Sequence, residues 1–445
     1  MNLYAIILAA GKGTRMKSHS LERSKVGFEI MGKTLLDYVL DALTPLGFQK
    51  MVTIVGHNGA FTEKIVDGRT EIAYQREQLG TGHAVMQAKP FLANEEGYTL
   101  ITCGDTPLFQ TETLQKLILD HQASQKDVTI LTAVVDQPHG YGRIVRGEGD
   151  EVLGIVEQAE ATPEIDAIRE VNTGVYVFNN RALFLHLDEI SGNNKKKEYY
   201  LTDIISIFRK AGLRVGASIM KDSREMLGIN DRVQLAEAAQ VLKERINRKH
   251  MLNGVTIIDP QQTYIGADVE IGADTIIYPG NFIIGHTIIG EDNIIKSNNF
   301  IEDAIIGDAN VIGPMTNIRP ASRIEGHNRI GSFVEMKKAT MKEGAKAAHL
   351  TYLGDAEIGK ETNIGGGTIT ANYDGKNKFK TIIGDHVFVG TGATIIAPIE
   401  IQDGAFIAGG STIYENVNQD DLAFGRARQV NKVGYAKKRR EKLEK

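Results

Sequence analysis

The 445-residue chain contains a single cysteine, Cys103. One thiol cannot close an internal disulfide, so a cross-linked secreted scaffold is excluded and a reducing, cytoplasmic location is expected. Long apolar runs are missing as well. None approaches the roughly 20 residues needed to cross a bilayer, so no membrane insertion is expected. Met1 leads straight into a short apolar run, Tyr4 to Ala10, with no basic segment ahead of it. That pattern predicts a buried strand rather than a signal peptide. Charge of one sign is scarce too: 51 Lys and Arg against 56 Asp and Glu leave a formal −5. Nothing in that balance favours nucleic acid as a partner. A glycine loop, GKGTRM (11–16), lacks both the Walker spacing and the dinucleotide G-x-G-x-x-G. The length exceeds one ordinary domain and predicts two or three.

What the chain does have is a strict period of six. Ile265, Ile271, Ile277, Ile283, Ile289, Ile295 and Ile301 form one register. Ile306, Ile312, Ile318, Ile324, Ile330 and Met336 form a second, and Ile383, Val389, Ile395, Ile401, Ile407 and Ile413 a third. A glycine follows many of them, as at Gly266, Gly272, Gly290 and Gly307. Six is not a helical period and is too regular for ordinary strands. It predicts a hexapeptide parallel β-helix, each hexad placing one aliphatic residue inside a continuous core. The beat is interrupted between Met336 and Ile358, and again between Ile369 and Ile383. Insertions are expected there, carrying AAHLTYLGD (347–355) and TANYDGKNKFKT (370–381) on loops of a rigid scaffold.

The first half alternates differently. LYAIILAA (3–10) is apolar throughout, like a central strand covered on both faces. Strands are predicted at 50–55, 98–102 and 128–134, and helices at 35–46 and 111–124. This is the α/β pattern of a doubly wound, Rossmann-like parallel sheet. The glycine loop after the first strand can receive phosphate on its backbone N–H groups, with Lys12, Arg15 and Lys17 adding positive charge. Asp105 follows a buried strand at the carboxyl edge, where open α/β sheets bind ligands. Residues 231–251 contain no Gly or Pro. They predict a connecting helix whose apolar face includes Val233, Ala236 and Val241. The closing KKRREKLEK (437–445) predicts a charged, mobile tail. The domains expected are 1–232, a linker helix at 233–253, and 254–445.

LAAGKGTRM (8–16) and Lys25 are similar to the signature of sugar-nucleotide pyrophosphorylases. QREQLGTGHAV (75–85), GDTPL (104–108), GYGRI (140–144), VEQ (156–158), NTG (172–174), EYYLTD (198–203) and GINDR (228–232) follow in the order of that family. With the hexads, nearly the whole chain resembles the bifunctional bacterial family that joins an N-acetylglucosamine-1-phosphate uridylyltransferase to a glucosamine-1-phosphate N-acetyltransferase. The resemblance implies an N-terminal nucleotidyltransferase domain, a left-handed β-helix and assembly as a homotrimer. Its implied substrates are UTP, N-acetylglucosamine-1-phosphate, glucosamine-1-phosphate and acetyl-CoA.

By that resemblance Asp105 and Asn230 hold Mg²⁺, and Arg15 and Lys25 are catalytic cations on the triphosphate. Leu8, Gly11, Gly104, Lys25 and Asn230 match nucleotide contacts, and Gln75, Gly80 and Thr81 match the uracil-reading positions. Gly142, Glu157 and Asn172 match contacts to the amino-sugar ring. The chain departs from the family where Ser24 precedes Lys25 in place of proline, and the interval from Arg15 to Lys25 is about three residues longer than usual.

His349 stands among small and apolar residues. From its surroundings it suits a general base near neutral pH or a hydrogen-bonded structural histidine. The resemblance implies the base. It also implies that Arg319 and Lys337 bind the sugar phosphate, that Tyr352, Asn363 and Asn372 orient the sugar and the base, and that Gly366, Tyr373, Thr391, Gly409 and Arg426 lie along the acetyl-CoA path. Threonine at 391 replaces the usual serine, Gly366 and Gly409 replace alanine, and Ala348 replaces glycine. Two other readings share the two-module layout: a monofunctional sugar nucleotidyltransferase whose β-helix only assembles, and a non-enzymatic scaffold with both sites decayed.

Overall fold

The protein is described from a computed structural model covering residues 2–11, 13–17, 24–56, 59–149 and 151–444. Lys12, and residues 18–23 of the lengthened interval before Lys25, lie outside the described residues. The chain forms two compact units, Met1–Leu242 and Lys243–Lys445.

The first unit is built on a sheet of nine strands: β1 Leu3–Ala9, β2 Lys50–Val55, β3 Glu71–Tyr74, β4 Tyr98–Cys103, β5 Val128–Val134, β6 Arg143–Arg146, β7 Val152–Val156, β8 Glu170–Asn179 and β9 Val215–Ile219. The spatial order is β9-β5-β8-β4-β1-β2-β3, with β6 and β7 pairing beside β8. Successive residues of β1 point to opposite faces and are buried on both: Ile6 joins one apolar cluster with Ile54, Ile101 and Ile130, Ile7 the other with Leu100, Leu131 and Val177. The strands expected at 50–55, 98–102 and 128–134 are present. The sheet is mixed rather than wholly parallel, however, because β8 runs antiparallel to both β4 and β5. The first helix starts after Thr34, which with Asp37 makes a reciprocal capping box. It ends at Leu43, short of the predicted Leu46, because Pro45 supplies no N–H to continue the ladder.

The helix Arg232–Leu252 is continuous across the change from one unit to the other. Of the expected face only Val241 packs on the apolar cluster: Val233 and Ala236 are exposed, while Ala238 and Leu242 are buried in the first unit. In the second unit Ile246 packs on the β-helix core. There Lys243 donates to Gln261 O at 2.6 Å, and Asn247 donates to Pro260 O and Thr263 O.

The second unit is a left-handed parallel β-helix. Ile265, Ile271 and Ile277 lie on successive faces, and Ile283 returns to the face of Ile265. From there the column continues through Ile301, Ile318, Met336 and Leu353. All the members of that column are fully buried, each worth about 1.5–3 kcal/mol. Asparagines also stack inside. Asn310 N donates to Asn293 Oδ1 at 2.9 Å, and Asn328 N to Asn310 Oδ1 at 2.8 Å.

The first expected interruption is not one. Met341, Ala347 and Leu353 fill the interior between Met336 and Ile358, and the long strands Arg329–Lys337 and Lys346–Gly354 pair through the coil. An alanine at one inward position, and steps of five at two others, concealed the period. AAHLTYLGD therefore lies on a strand and its corner, not on an inserted loop. The second insertion is real: Tyr373 and Lys378 bridge in antiparallel fashion across a projecting turn. At the end of the chain, Tyr435–Leu443 is helical, with every residue exposed.

One buried group gives the first unit a pH dependence. His121, on the helix Thr111–Ser124, is fully buried against Tyr98 and shares a 2.8 Å hydrogen bond with Thr129 Oγ1. Burial lowers its pKa to about 4. Between its ordinary value of about 6.5 and about 4, the unfolded chain takes up a proton that the folded unit refuses. Stability should therefore fall as pH drops through that window. Urea unfolding followed by circular dichroism at pH 7 and pH 5 is expected to show this loss, and to show a smaller one for His121→Gln.

Candidate active sites in the two units

Three loops converge at the carboxyl edge of β1 and β4. Gly104 N donates to Leu8 O at 2.9 Å, joining the GDTPL turn to the end of β1. Ile229 N donates to Asp105 O at 3.0 Å, bringing the GIN turn alongside. Asn230 Oδ1 accepts from Lys25 Nζ at 2.8 Å and from Arg15 Nη2 at 2.7 Å, and Lys25 also pairs with Asp105. Arg15, Lys25, Asp105 and Asn230 thus form one polar knot. Lys25, at the end of the longer interval, is held in this knot. Gly13 has φ +62°, and a Cβ there would lie 2.8 Å from Lys25 Cβ, so the glycine lets the two segments touch. Gly11 is open, with nothing within 4 Å of a Cβ position. Burial and the nearby Asp105 carboxylate push the Cys103 thiol up to about 12, so it stays protonated beside the knot.

Gln75 is buried at the end of β3 and donates to Gly80 O at 3.0 Å. The loop it faces is held by the EYYLTD segment. Tyr199 N donates to Leu79 O at 2.7 Å, Gly82 N to Tyr199 O at 2.8 Å, and Leu201 N to Thr81 Oγ1 at 3.0 Å. Thr202 Oγ1 donates to Glu157 Oε1 at 3.0 Å. EYYLTD is therefore the brace between the QLGTG loop and Glu157. Gly142, Glu157 and Asn172 also come together: a Cβ on Gly142 would lie 3.7 Å from both Glu157 Oε1 and Asn172 Cβ. Asn172 N donates to Gly142 O at 2.9 Å, and Asn172 Nδ2 to Tyr176 Oη at 2.7 Å.

In the second unit two columns matter. Along the first, Arg319 and Lys337 are neighbours in adjacent coils, and Gly354 follows Lys337 one coil on. A side chain at Gly354 would collide with the Tyr352 hydroxyl, so the glycine leaves room for that ring. Asn372 Nδ2 donates to Asp355 Oδ2 at 2.6 Å. The Lys378 ammonium beside it, and then the Arg319 guanidinium, push the Lys337 ammonium down from its ordinary value. Arg319 has a carboxylate partner, Glu335, at 2.7 Å. Three cations crowded this closely suit an anion. Lys378 was missed in the sequence because it sits in the inserted turn and reaches the others only through the fold.

The second column is a corner. His349 is exposed and is followed by Leu350 at φ +32°, an unusual conformation for a bulky residue. A Cβ on Gly366 would lie 3.2 Å from His349 Cβ, and one on Gly409 would lie 3.1 Å from Thr391 O. Gly392 N donates to Gly366 O, Gly410 N to Thr391 O, and Arg426 Nη1 to Gly409 O at 2.7 Å. His349, Gly366, Thr391, Gly409 and Arg426 thus share one edge. Asn363 pairs with Lys346 and Phe388 on the neighbouring face, and Tyr373 is exposed on the inserted turn. Within one chain the corner at Leu350 stands between His349 and Tyr352.

A doubly wound nucleotide-type unit with a polar knot at its carboxyl edge, followed by a β-helix with a cationic column, defines a two-module transferase. The family described as Nucleotidyl transferase matches residues 4–228, and Bacterial transferase hexapeptide (six repeats) matches residues 380–415. Proteins named Bifunctional protein GlmU are similar over almost the whole length. That of Geobacillus sp. (strain WCH70) is 48% identical over 97% of each chain. That of Streptococcus suis (strain 98HAH33) is 49% identical over 98% of this chain and 97% of the relative. That of Listeria innocua is 47% identical over 98% of each. The chain belongs to the GlmU family of bifunctional proteins.

The brace on the QLGTG loop is testable. Gly80 has φ +114°, and a Cβ there would lie 2.5 Å from Tyr199 O and 2.8 Å from Tyr199 N. Gly80→Ala should destabilise the first unit by about 1–3 kcal/mol, lowering its melting temperature by several degrees while leaving the melting of the second unit unchanged.

Proposed function

We propose that the chain makes UDP-N-acetylglucosamine in two steps. The second unit transfers acetyl from acetyl-CoA to the amine of glucosamine-1-phosphate. The first then transfers uridylyl from UTP to N-acetylglucosamine-1-phosphate, releasing pyrophosphate. The observation that carries this reading is that one chain, similar from end to end to bifunctional relatives, keeps a polar constellation in each unit.

In the first unit the sugar phosphate oxygen attacks the α-phosphorus of UTP. Arg15 and Lys25 neutralise the charge that builds on the phosphates, so the protein's main work is positioning and electrostatics. Gln75, with the backbone of Gly80 and Thr81, pairs with the uracil edge, and Leu8, Gly11 and Gly104 line the nucleotide. Gly142, Glu157 and Asn172 receive the amino-sugar ring. Asp105 and Asn230 would hold Mg²⁺. Their side-chain oxygens converge on one cation, the Lys25 ammonium, and oxygen donors of this kind would suit a hard divalent ion. When bound it supplies charge neutralisation between phosphate groups.

In the second unit Arg319 and Lys337, joined by Lys378, take the phosphate of glucosamine-1-phosphate. Tyr352, Asn363 and Asn372 orient the sugar and the base. His349 accepts the amine proton as the nitrogen attacks the thioester carbon and coenzyme A leaves. Gly366, Tyr373, Thr391, Gly409 and Arg426 line the acetyl-CoA path. A homotrimer is supported by the hexapeptide repeats and by the exposed aromatic stacks Phe282–Phe300 and Phe388–Phe406. A cytoplasmic setting is supported by the single thiol. No helix among the described residues is long and apolar enough to cross a membrane.

Separate assays of the two transfers test the scheme. Asp105→Ala should abolish most uridylyl transfer and spare acetyl transfer. His349→Ala should lower acetyl turnover by about 10²–10⁴-fold, less at high pH where the amine deprotonates unaided, and spare uridylyl transfer. Equal loss of both activities from either substitution in a folded protein would reject the division of labour. Light scattering reads the assembly, and a fully acetyl-active monomer would reject the trimer.

A further inference from the structure

Arg143 heads the fully buried side chains of the described structure by volume and is 1% exposed. A guanidinium withdrawn from water is costly unless its donors are answered. Here they are answered by three separate segments. Arg143 donates to Tyr141 O, to Gln158 Oε1 at 2.9 Å, and to Asp166 Oδ1 at 2.7 Å, with a longer contact to Asp166 O at 3.4 Å. Gln158 closes the network. Its Nε2 donates to Asp166 Oδ1 at 2.7 Å, and its Oε1 accepts from Gly140 N at 3.0 Å. One planar fork therefore ties together the Gly140–Tyr141 turn, the Gln158 turn and the short helix Pro163–Asp166.

The tied segments frame a specific space. Gly142 lies between Tyr141 and Arg143, and Glu157 directly precedes Gln158. The position of the missing Gly142 side chain is bounded by Ile155, Glu157 Oε1 and Asn172 Cβ, all within 4 Å. The separation of Gly142 from Glu157 is thus set by Arg143 from one side. From the other, Thr202 holds the Glu157 carboxylate. A buried ion pair is a weak source of net stability, and apolar replacements of similar volume are often neutral. The distinctive property of this network is the geometry it imposes.

We propose that Arg143 is a positioning residue for the sugar pocket of the uridylyl-transfer site. It sets the spacing of Gly142 and Glu157 without touching the reactants, and Gln158 and Asp166 transmit its hold. The inference rests on the reading of Gly142, Glu157 and Asn172 as the sugar contacts.

The experiment compares Arg143→Met, Arg143→Lys, Gln158→Ala and Glu157→Gln in the full-length protein. Uridylyl-transfer KM is measured separately for N-acetylglucosamine-1-phosphate and UTP, together with kcat and the melting temperature. Arg143→Met should raise the sugar-phosphate KM by about tenfold or more, the factor expected when buried charge-assisted hydrogen bonds are lost. The UTP KM should stay within about twofold under the same cause. Arg143→Lys should recover little, because an ammonium cannot span the fork. Gln158→Ala, on a partly exposed residue, should move the same KM in the same direction even if Arg143→Met fails to fold. A fall in melting temperature with both KM values raised together would make Arg143 a general structural residue and overturn the proposal. So would an unchanged sugar KM in Arg143→Met and Gln158→Ala while Glu157→Gln raises it. An unchanged sugar KM in Glu157→Gln would instead remove the sugar-pocket reading on which the proposal stands.

Discussion

The second unit depends on one constraint: a strand of two or three residues cannot satisfy its own backbone. The strand backbone of the β-helix is answered by neighbouring coils, as in the run Tyr264 N to Asn281 O, Phe282 N to Asn299 O and Phe300 N to Thr316 O. The requirement forces coils into register, and the register forces like positions into columns. The interior columns become isoleucine and asparagine ladders. The exterior columns bring the candidate site residues together. Arg319 and Lys337 are distant in sequence by ordinary standards, yet the ladder makes them neighbours, and the same rule aligns His349, Gly366, Thr391 and Gly409 along one corner. Glycine at 354, 366 and 409 is how the sequence leaves room on those columns.

The first unit reaches the same end by different physics. Its buried sheet is rigid because apolar side chains cover both faces, and that rigidity is delivered to loops at one edge. The loops are then tied to one another rather than to solvent. Asn230 accepts from two cations at once, Asp105 takes one of them, and the EYYLTD segment bridges the QLGTG loop to Glu157. The concentration of positive charge at the knot, with one carboxylate among its described residues, is the electrostatic complement of a polyphosphate. In the β-helix, Lys337 is pushed down by its cationic neighbours, so the same complementarity to anions recurs on an unrelated scaffold.

Much of this was legible beforehand because it is local. A period of six, an apolar run before a glycine loop, and an acidic residue at the end of a buried strand are statements about neighbours in sequence. They pointed to the β-helix, the nucleotide-type sheet and the candidates Arg15 and Asp105, whereas Asn230 entered only through the family resemblance. The expected break after Met336 failed for a local reason too: Ala347 is small enough to escape a search for large aliphatics, although it occupies the interior as fully as an isoleucine.

The remainder was decided by contacts between residues far apart in sequence. The antiparallel course of β8 is set by its insertion between β4 and β5, two strands far from it in sequence. The buried face of the helix Arg232–Leu252 turned to Ala238 and Leu242, leaving Val233 in water, because packing partners rather than propensity choose the face. Lys378 joined Lys337 because an inserted turn folds back over the coil. Arg143 sits inside the GYGRI motif, and only the arrival of Gln158 and Asp166 makes its burial tolerable. Sequence alone determined which groups the chain carries and the repeat that stacks them. The tertiary structure decided which of those groups meet, because burial and hydrogen-bond satisfaction are met between segments and not within them.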